Sequence, residues 1–446
     1  MTPRPLTVAV IGAGPAGIAT AGTLAQGGAR VDLLERLPVP FGLVRYGVAP
    51  DRPLPGAIRD PLHAVLDRRD VRLLTGVDVG TDVDLDLLRT VYDAVVLATG
   101  AADDAPLPVP GVDLPGSFGA SAFVSWYSAH PDAPTGWPLD AEHVAVVGAG
   151  NVALDVARML SVQADDLAHT EVPDHVREAL AASRVTDVHV LARRGPAEAA
   201  FSPQSLRALD EVPGVDVTVD PADLVVDRSS EQLMKTSASR RTILSTLQEW
   251  SGRAERGAPR RVHLHLMQVP VSIDGAHRVE GVTVERTRHL VNGTVEGTGL
   301  LTRYPVGQVY RAVGYAPAAV PGVPVGPGGR VVHQQGRVLD GLGAPVPGLY
   351  LSGWAKRGPV GLVGATTADA VRTAQTLLAD LEDLPRHGDD DDPLGRLRLG
   401  AAQQVDGWDG WLRVDAHERA LGAERGRART KVHGRSSLTR VASGGV

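Results

Sequence analysis

The sequence predicts an α/β protein with parallel sheets, and two observations carry this prediction. Strand-like and helical runs alternate from Thr7 to about Gly195, as expected where helices connect parallel strands. Two of the βα units, at residues 8–18 and 144–158, have the same kind of glycine-rich turn between strand and helix. With 446 residues the chain has room for about two or three domains, so each unit can belong to its own domain.

Composition narrows the class of protein. The apolar fraction of 43% and the charged fraction of 22% are ordinary for a soluble globular chain. A net charge of −7 argues against nucleic acid as the main partner. No apolar run reaches the length of about 18 residues that a membrane span needs, so no membrane association is expected. The first strand begins near Leu6 and leaves no room for a signal peptide, which predicts a cytoplasmic location.

The sequence contains no cysteine. This excludes disulfide bonds, cysteine-ligated zinc, an iron–sulfur cluster held by the chain's own cysteines, and thiol redox chemistry. No metal site is predicted.

The predicted elements of the first half follow one another in βα order. "LTVAVIG" (6–12) is a buried strand, and "PAGIATAGTLAQGG" is the helix after it, ending on glycines. "RVDLLER" (30–36) and "YDAVVLATG" (92–100) are further strands. "VAVVGAGNVALDVARML" (144–160) begins a second βα unit, and "VTDVHVLARRG" (185–195) supplies its next strand.

The second half is more varied. Residues 262–315 contain alternating stretches such as "VEGVTVERTRHLV" and "GQVYRAVGY", which predict antiparallel strands. "GLYLSGW" (348–354) is a late apolar strand that leads into the helix "TTADAVRTAQTLLADLEDL". "HGDDDDPLG" (387–395) is interpreted as a linker. The tail after it, with Trp408 and Trp411, is interpreted as a peripheral helix with a solvated basic end.

The first glycine-rich turn, Gly12-Ala-Gly14-Pro-Ala-Gly17, fits G-x-G-x-x-G between a strand and a helix. The first glycine makes the tight turn, the second lets a pyrophosphate approach the backbone, and the third lets helix and strand pack closely. Glu35 ends the next strand, about 20 residues on, where a carboxylate accepts hydrogen bonds from ribose hydroxyls. The turn therefore predicts a Rossmann-like dinucleotide site; the alternative is a purely structural turn.

The second turn, Gly148-Ala-Gly150-Asn-Val-Ala153, has the same form but a different second strand. That strand ends in Ala192, Arg193 and Arg194 instead of an acid. A carboxylate would repel a 2′-phosphate, whereas guanidinium groups pair with it in bidentate fashion. The second site is therefore predicted to bind NADP(H) and not NAD(H); the alternative is that both arginines belong to a solvated loop.

The two turns suit two different dinucleotides. We predict non-covalent FAD held at the first turn and NADPH bound in passing at the second. Flavins accept two electrons as hydride and release them singly, so the pair would form a hydride relay.

Several longer motifs carry a family resemblance. They are "PFGLVRYGVAPDRP" (40–53), "FVSWYSAHP" (123–131), "GNVALDVAR" (150–158), "LARRGPAEAAF" (191–201) and "GLYLSGWAKRGPVG" (348–361). With these motifs, in order along nearly the whole chain, the sequence resembles the adrenodoxin reductase type of ferredoxin–NADP⁺ reductase.

The resemblance implies two Rossmann-like dinucleotide-binding domains, with the NADP domain inserted into the FAD domain. Carried onto this chain, residues 1–105 and 321–385 form the FAD domain and residues 106–320 the NADP domain. Residues 386–446 are the linker and a C-terminal tail that packs on the FAD domain.

The resemblance also assigns contacts to the two cofactors. Those implied for FAD are Ala16, Glu35, Leu43 in "FGLVR", Val79 in the strand "GVDVG", and Trp354, Gly361, Leu362 and Val363 beside the flavin ring. Those implied for NADP(H) are Gly150, Asn151, Val152, Arg193, Arg194 and Gly361.

Three positions depart from the family pattern. Arg52 stands where the family has a histidine, and Ser205 and Ala208 stand where it has two glutamates. No imidazole–carboxylate relay is available from these positions, so no catalytic side chain is predicted. Hydride transfer itself needs only correct stacking of nicotinamide on flavin.

The implied activity is electron transfer from NADPH through FAD to a ferredoxin-type iron–sulfur protein. Ferredoxins are acidic, so we expect a basic docking face in the segment 235–261, at Arg240, Arg241, Arg253 and Arg256. Alternatives are a flavin-dependent oxidoreductase acting directly on a small molecule or O₂, and a catalytically weakened NADP(H)-binding flavoprotein. Disulfide reductases share the layout but need redox cysteines, which this chain lacks.

Overall fold

Two mainly parallel sheets carry the fold in this computed structural model, which describes residues 4–52, 56–290, 294–317, 320–326, 330–361, 363–387, 393–397 and 407–445. The strands are β1 (Thr7–Ile11), β2 (Arg30–Glu35), β3 (Val71–Thr75), β4 (Ala94–Leu97), β5 (Asp103–Asp104), β6 (Ser117–Gly119), β7 (His143–Val147), β8 (Asp187–Leu191), β9 (Val215–Val219), β10 (Arg260–His265), β11 (Gln268–Asp274), β12 (Gly281–His289), β13 (Val295–Tyr304), β14 (Gln308–Arg311), β15 (Tyr315–Ala316), β16 (His333–Gln334), β17 (Arg337–Leu339) and β18 (Pro345–Leu351). The helices are α1 (Pro15–Gln26), α2 (Leu43–Tyr46), α3 (Gly56–Asp67), α4 (Leu85–Val91), α5 (Ala120–Tyr127), α6 (Asn151–Ser161), α7 (Asp174–Ala181), α8 (Pro203–Asp210), α9 (Arg228–Lys235), α10 (Ala238–Ser251), α11 (Trp354–Arg357), α12 (Val363–Ala379), α13 (Gly407–Ala423) and α14 (Arg435–Ala442).

The chain divides into two compact units. The first unit contains residues 1–103, 128–133 and 315–446, and the second unit contains residues 104–127 and 134–314. The second unit is thus inserted into the chain of the first. Which cofactor each unit holds stays a prediction.

The sheet of the first unit has the strand order β16-β17-β18-β4-β1-β2-β3. Its strands from β18 to β3 are parallel, and β16 and β17 extend it as antiparallel strands. The chain moves outward from β1 to β2 and β3 and then returns to place β4 on the other side of β1. This reversal creates a switch point between β1 and β4, where ligands bind in sheets of this type.

Helices α1 and α12 pack against each other beside this sheet. Ile18 and Leu24 of α1 and Ala370, Ala374 and Leu377 of α12 are fully buried in one apolar cluster. The predicted helix after the first glycine turn is therefore confirmed, and its apolar side chains account for its place against the sheet.

The main sheet of the second unit has the order β6-β14-β7-β8-β10-β9, and all its pairings are parallel. It repeats the reversal of the first unit, with a switch point between β7 and β14. The prediction of antiparallel strands was wrong for "GQVYR", because β14 pairs in parallel with both β6 and β7. Gln308 of β14 is 1% exposed and donates to Pro138 O at 2.9 Å, so the alternating sequence reflects a buried, hydrogen-bonded amide and not a solvated face.

A separate sheet of the second unit, β11-β12-β13, is antiparallel throughout. The prediction was correct for "VEGVTVERTRHLV", most of which forms β12. Val282 and Val284 of β12 are buried, whereas β13 is largely exposed along its length.

The C-terminal tail is not the peripheral helix that the sequence suggested. Trp408 and Trp411 of α13 are buried in the same apolar cluster as α1. Glu418 of α13 is fully buried and accepts bonds from Arg45 of α2 at 3.1 and 2.5 Å, and from Arg429 at 2.7 Å. The interpretation of a solvated basic end was therefore wrong for Arg429, whose guanidinium group donates to the buried carboxylate of Glu418. Charge alone could not reveal this, because the acid that holds Arg429 is itself buried against Arg45, 373 residues away in the sequence.

A stack of histidine rings covers one face of β8 and β10. His189 lies 4.7 Å from His263 and 5.3 Å from His265 between ring centroids, and His189 Nδ1 is 3.0 Å from His265 Nε2. Burial, with the neighbouring His263 as the next cause, lowers the pKa of His189 to about 3 and that of His265 to about 4. In the described part of the chain no group of histidines and acids is arranged to hold a metal ion.

This stack predicts a loss of stability in mild acid. The folded-state pKa values lie below the unfolded value of 6.5, so the unfolded chain binds more protons and stability falls as pH drops through 6.5. We expect the free energy of unfolding to fall by about 1 kcal/mol per histidine between pH 6.5 and 5, after allowing for solvent screening of part-exposed rings. Urea unfolding at several pH values should show a shallower dependence in His189→Asn, with the exposed His277→Asn as control; an unchanged dependence in His189→Asn contradicts the prediction.

Candidate functional site

The first glycine turn lies at the switch point of the first unit. Gly12 follows β1 with a φ of +102°, and a Cβ placed there would lie 2.6 Å from the carbonyl oxygen of Ala98, just beyond β4. A Cβ on Gly17 would collide with the carbonyl oxygen of Gly12. Both positions therefore exclude side chains for the reasons that the motif predicts: a left-handed turn and close packing of helix on strand.

The start of α1 is open to a ligand. Gly14 caps the helix, and a Cβ built on it meets no atom within 4 Å. Pro15 occupies the first helical position, and the first N–H groups of a helix have no partners within the helix. The positive end of the helix dipole and these N–H groups suit a pyrophosphate, and the open space at Gly14 lets it approach the backbone.

Glu35 is held in place at the end of β2. One of its carboxylate oxygens accepts a bond from Ala13 N–H at 2.8 Å, and the other accepts one from Leu37 N–H at 3.0 Å. Burial raises the pKa of Glu35, and the two backbone bonds oppose this shift. Each oxygen keeps a free lone pair, so the carboxylate can still accept bonds from ribose hydroxyls.

The segment that follows β2 returns to the glycine turn. Phe41 N–H donates to Ala13 O at 2.8 Å, and a Cβ on Gly42 would lie 3.2 Å from the Cα of Gly14. Leu43 begins α2 directly after this contact. Its backbone therefore lies close to the turn, as expected for a cofactor contact.

The prediction that Val79 lies in a strand was wrong. β3 ends at Thr75, and Val79 lies in the following turn, where it makes an isolated bridge to Val83. The motif "GVDVG" resembles a strand because its valines alternate, but Gly76 and Gly80 both have positive φ and bend the chain. Val79 is half-buried against the apolar cluster on this face of the sheet.

The turn after β18 packs on the start of α1. A Cβ on Gly353 would collide with the side chain of Ala16. Trp354, the first residue of α11, has a buried indole Nε1 with no hydrogen-bond partner among the described residues, and its ring lies 6.0 Å from that of Tyr315. An unpaired buried donor beside the glycine turn is a group that a bound flavin can satisfy.

Asp369 of α12 holds this turn, a role that no sequence motif indicates. Its carboxylate lies 3.0 Å from Lys356 Nζ, 3.6 Å from Arg357 Nε and 3.4 Å from Arg372, and it accepts Gly353 N–H at 3.3 Å. In the sequence Asp369 is a single acidic residue in a helix of mostly small side chains, and this is the one sign of its role.

The start of α12 lies on the same edge of the sheet as the start of α1, because β1 and β18 both run parallel to β4 and each is followed by its helix. Gly361 is exposed with a φ of +87°, and Val363 is the first residue of α12. Leu362 lies outside the described residues. Gly361 and Val363 are thus placed at a second helix N-terminus near the first.

The second glycine turn repeats the first at the switch point of the second unit. Gly148 has a φ of +148°, and a Cβ there would collide with the carbonyl oxygen of Ala312, just beyond β14. Gly150 caps α6 in open space. Asn151, ahead of Val152 in the first turn of α6, accepts Ser202 N–H at 2.8 Å and so joins this helix to the segment before α8.

Arg193 and Arg194 lie in the loop after β8. Neither has a carboxylate within ion-pair distance in the described part of the chain, although most other arginines of this unit do. Arg193 is exposed, and the Nε of Arg194 is buried without a hydrogen-bond partner among the described residues. Two unpaired guanidinium groups beside a dinucleotide turn fit a 2′-phosphate.

Comparisons with known proteins agree with this geometry. The family model described as pyridine nucleotide-disulphide oxidoreductase matches residues 6–332. The chain belongs to this family. It is 34% identical to NADPH-ferredoxin reductase FprA of Mycobacterium tuberculosis, covering 99% of this chain and 100% of that protein. It is also 34% identical to the mitochondrial NADPH:adrenodoxin oxidoreductase of Arabidopsis thaliana, covering 96% and 94% of the two chains.

A solved structure extends the family comparison. The structure of Mycobacterium tuberculosis FprA in complex with NADPH is similar with a TM-score of 0.90 at 34% identity, over 98% of this chain and 100% of that one. The resemblance to adrenodoxin reductase-type enzymes, and with it the predicted α/β fold, is confirmed. The family name includes disulphide chemistry, which a chain without cysteine cannot perform.

The structure shows the local surroundings of the three departures from the family pattern. Ser205 N–H donates to Ser202 Oγ at 3.1 Å, within the N-cap of α8. Ala208 is 3% exposed, on the packed face of the same helix. Arg52 is half-buried in a turn, with its N–H bonded to Ala49 O at 3.0 Å. The described residues place no acid or imidazole at these positions.

The predicted docking segment divides into two parts. Arg253 pairs with Asp210 at 2.6 Å, and Arg256 pairs with Asp210 at 3.1 Å and Asp216 at 3.0 Å. Arg240 has no acid within ion-pair distance among the described residues, and the exposed Arg241 bonds only to the carbonyl oxygens of Met234 and Lys235. Free positive charge is therefore concentrated at the start of α10.

No helix in the described part of the chain is both long and apolar enough to cross a membrane.

Proposed function

We propose that this protein is an NADPH-dependent flavoprotein reductase that passes electrons through FAD to a ferredoxin-type iron–sulfur protein. The observation that carries the proposal is the contrast between two glycine turns of the same form. Beside the first lies the buried carboxylate of Glu35, and beside the second lie Arg193 and Arg194, which have no ion-pair partner among the described residues. The first site therefore suits a dinucleotide that lacks a 2′-phosphate, and the second site suits one that carries it.

The first unit is proposed to hold FAD. Gly12, Gly14, Ala16 and Gly17 would surround the pyrophosphate, and Glu35 would accept bonds from the ribose. The remaining proposed contacts are Leu43, Val79, Trp354, Gly361, Leu362 and Val363. The fit rests on the open helix N-terminus at Gly14, the free lone pairs of Glu35 and the unpaired indole N–H of Trp354.

The second unit is proposed to hold NADPH. Gly148, Gly150, Asn151 and Val152 would carry its pyrophosphate, and Arg193 and Arg194 its 2′-phosphate. Gly361 stays a predicted NADP(H) contact on the strength of the family resemblance. The domain boundaries 1–105, 106–320, 321–385 and 386–446 belong to the same proposal. A cytoplasmic location is proposed as well.

The side chains of this protein are proposed to bind FAD and NADPH and to orient them. Arg52, Ser205 and Ala208 perform no acid–base step. Bound FAD supplies the conversion from two-electron to one-electron transfer. Because no cysteine is present to take the electrons, they have to leave the protein to an external acceptor. A one-electron iron–sulfur carrier matches the acceptor named for the relatives.

An anaerobic titration tests the proposal directly. The purified protein should be yellow, NADPH should bleach its flavin absorbance, and an added ferredoxin should restore it. Denaturation should release free FAD, since the chain has no cysteine for a thioether link. Absence of FAD, or flavin that NADPH does not bleach, overturns the proposal. Rapid reoxidation by O₂ or a small molecule, with no response to ferredoxins, would favour the direct oxidoreductase instead.

Ferredoxin is proposed to dock at the start of α10, on Arg240 and Arg241. Arg253 and Arg256 belonged to the predicted face but are largely neutralised by Asp210 and Asp216, so they contribute less to long-range attraction. A basic patch on an acidic protein raises the rate of encounter with an acidic partner by steering.

Ferredoxin reduction is therefore expected to depend on salt and on these two arginines. Its rate should fall roughly tenfold between low and high ionic strength, as the Debye length shortens from ~10 Å at 0.1 M to ~3 Å at 1 M. Arg240→Glu with Arg241→Glu should lower ferredoxin-dependent turnover, while reduction of a neutral dye by NADPH stays intact. Arg278→Glu, in an exposed turn, is the matched control. Loss of both activities would assign these arginines to the fold, and loss of neither would place docking elsewhere.

A further inference from the structure

A buried acid–imidazole pair lies directly behind the loop that carries Arg193 and Arg194. Glu198 Oε2 is 3.4 Å from His289 Nε2, and their side chains are only 8% and 6% exposed. The other oxygen of Glu198 accepts a bond from Ser230 Oγ at 2.7 Å. Both side chains lie against Gly195, where a Cβ would be 3.3 Å from each.

Two hydrogen bonds hold the backbone of the arginine loop, and one of them comes from the strand that supplies His289. Thr287 Oγ1 donates to Arg193 O at 2.8 Å, and Met267 N–H donates to Arg194 O at 3.4 Å. Thr287 and His289 are two residues apart on β12, so their side chains leave the same face of the strand. This face of β12 therefore contacts the loop at two points.

Glu198 is the acid nearest in sequence to the arginine pair, yet neither arginine forms an ion pair with any acid in the described residues. Ser230 donates to one oxygen of Glu198, and the imidazole of His289 lies against the other at 3.4 Å without forming a hydrogen bond in the described part of the chain. If His289 were missing, this contact would be lost and the unbonded oxygen would be uncovered, and a guanidinium group is the partner that a carboxylate prefers. An arginine bound to Glu198 could not bind a phosphate.

We propose that His289 and Glu198 are positioning residues for NADPH selectivity. His289 keeps Glu198 turned away from Arg193 and Arg194, and the pair fixes the loop so that both guanidinium groups remain free for the 2′-phosphate. Neither side chain contacts the nucleotide in this proposal. It rests on the proposed function, because it assumes that the arginine loop binds NADPH.

A double-mutant cycle on the FAD-loaded enzyme tests this role. His289→Ala should raise KM for NADPH and Kd for 2′,5′-ADP roughly tenfold, about the effect of losing one charge-assisted hydrogen bond. KM and kcat for NADH should stay within about twofold, since NADH has no 2′-phosphate. Adding Glu198→Gln to His289→Ala should restore NADPH and 2′,5′-ADP binding to within about threefold of the wild type, because the competing charge is gone. His277→Ala, an exposed histidine in the turn between β11 and β12, is the matched control.

The outcomes separate the inference from the function on which it rests. A wild-type protein that does not bind 2′,5′-ADP, measured by calorimetry, contradicts the proposed NADPH site itself. A wild type that binds it while His289→Ala binds it equally well overturns the positioning role alone. Equal losses with NADPH and NADH, or a double variant as weak as His289→Ala, would show a purely structural contribution and would also overturn it.

Discussion

Replacing both Arg193 and Arg194 by Ala is expected to raise KM for NADPH by roughly 10- to 1,000-fold, since each charge-assisted hydrogen bond contributes about 1.5–3 kcal/mol and 1.4 kcal/mol is tenfold. KM for NADH should change little. The reason is that both guanidinium groups lack carboxylate partners among the described residues, so their charge is available to the 2′-phosphate. Steady-state kinetics with both nucleotides, and a neutral dye as acceptor, measure the effect.

The control for this variant is Arg184→Ala. Arg184 is exposed in the same unit, but it is paired with Glu142 at 2.6 Å, so its loss should leave both KM values unchanged. Equal use of NADPH and NADH by the native protein would contradict the assignment, as would a double variant that keeps the native preference. Loss of activity with both nucleotides would indicate damage to the loop backbone, which thermal unfolding would detect.

The parts of the site that could be predicted from sequence are those fixed by local backbone geometry. Gly12 and Gly148 each occupy a left-handed turn against a neighbouring carbonyl oxygen, and only glycine fits such a position. The residue at the end of the next strand, Glu35 in one case and Arg193 in the other, can be located by its distance along the chain from the turn. These features depend on a few neighbouring residues, so a short motif is sufficient to reveal them.

The parts that could not be predicted depend on partners distant in sequence. The alternation in β14 does not show that the strand lies between β6 and β7, because the partners of a strand are chosen by the whole sheet. In the sequence Arg253 and Arg256 look like free positive charges, but in the structure Asp210 and Asp216 pair with them. Asp369 belongs to no recognisable motif, because its partners Gly353 N–H and Lys356 Nζ come from the turn after β18.

The tail gives the clearest case of such a distant partner, and it leads to the second large prediction. Glu418 of α13 binds Arg45 and Arg429, and it also accepts Val432 N–H at 2.9 Å. Burial would raise the pKa of Glu418, but Arg45, Arg429 and the N–H of Val432 together outweigh it, so the pKa is lowered. Lys431 Nζ donates to the carbonyl oxygen of Arg45 at 2.9 Å, so the tail holds α2 by both side chain and backbone. α2 begins at Leu43, next to the first glycine turn.

Glu418→Ala is expected to lower the free energy of unfolding by about 3–5 kcal/mol, because it leaves the guanidinium group of Arg45 buried without its carboxylate. It also removes one of the two carboxylates that pair with Arg429, the other being Asp415. The expected loss is a large part of the ~5–15 kcal/mol that stabilises most proteins. Because Arg45 anchors α2, the variant should also release FAD at lower urea concentrations than the native protein. Urea unfolding followed by circular dichroism, with flavin fluorescence as a second signal, measures both effects. Glu424→Ala, whose side chain is 71% exposed, is the matched control and should differ from the native protein by less than about 0.5 kcal/mol. A Glu418→Ala protein within about 1 kcal/mol of the native value, far below the cost of breaking a buried pair, would show that the tail does not hold α2 through this carboxylate.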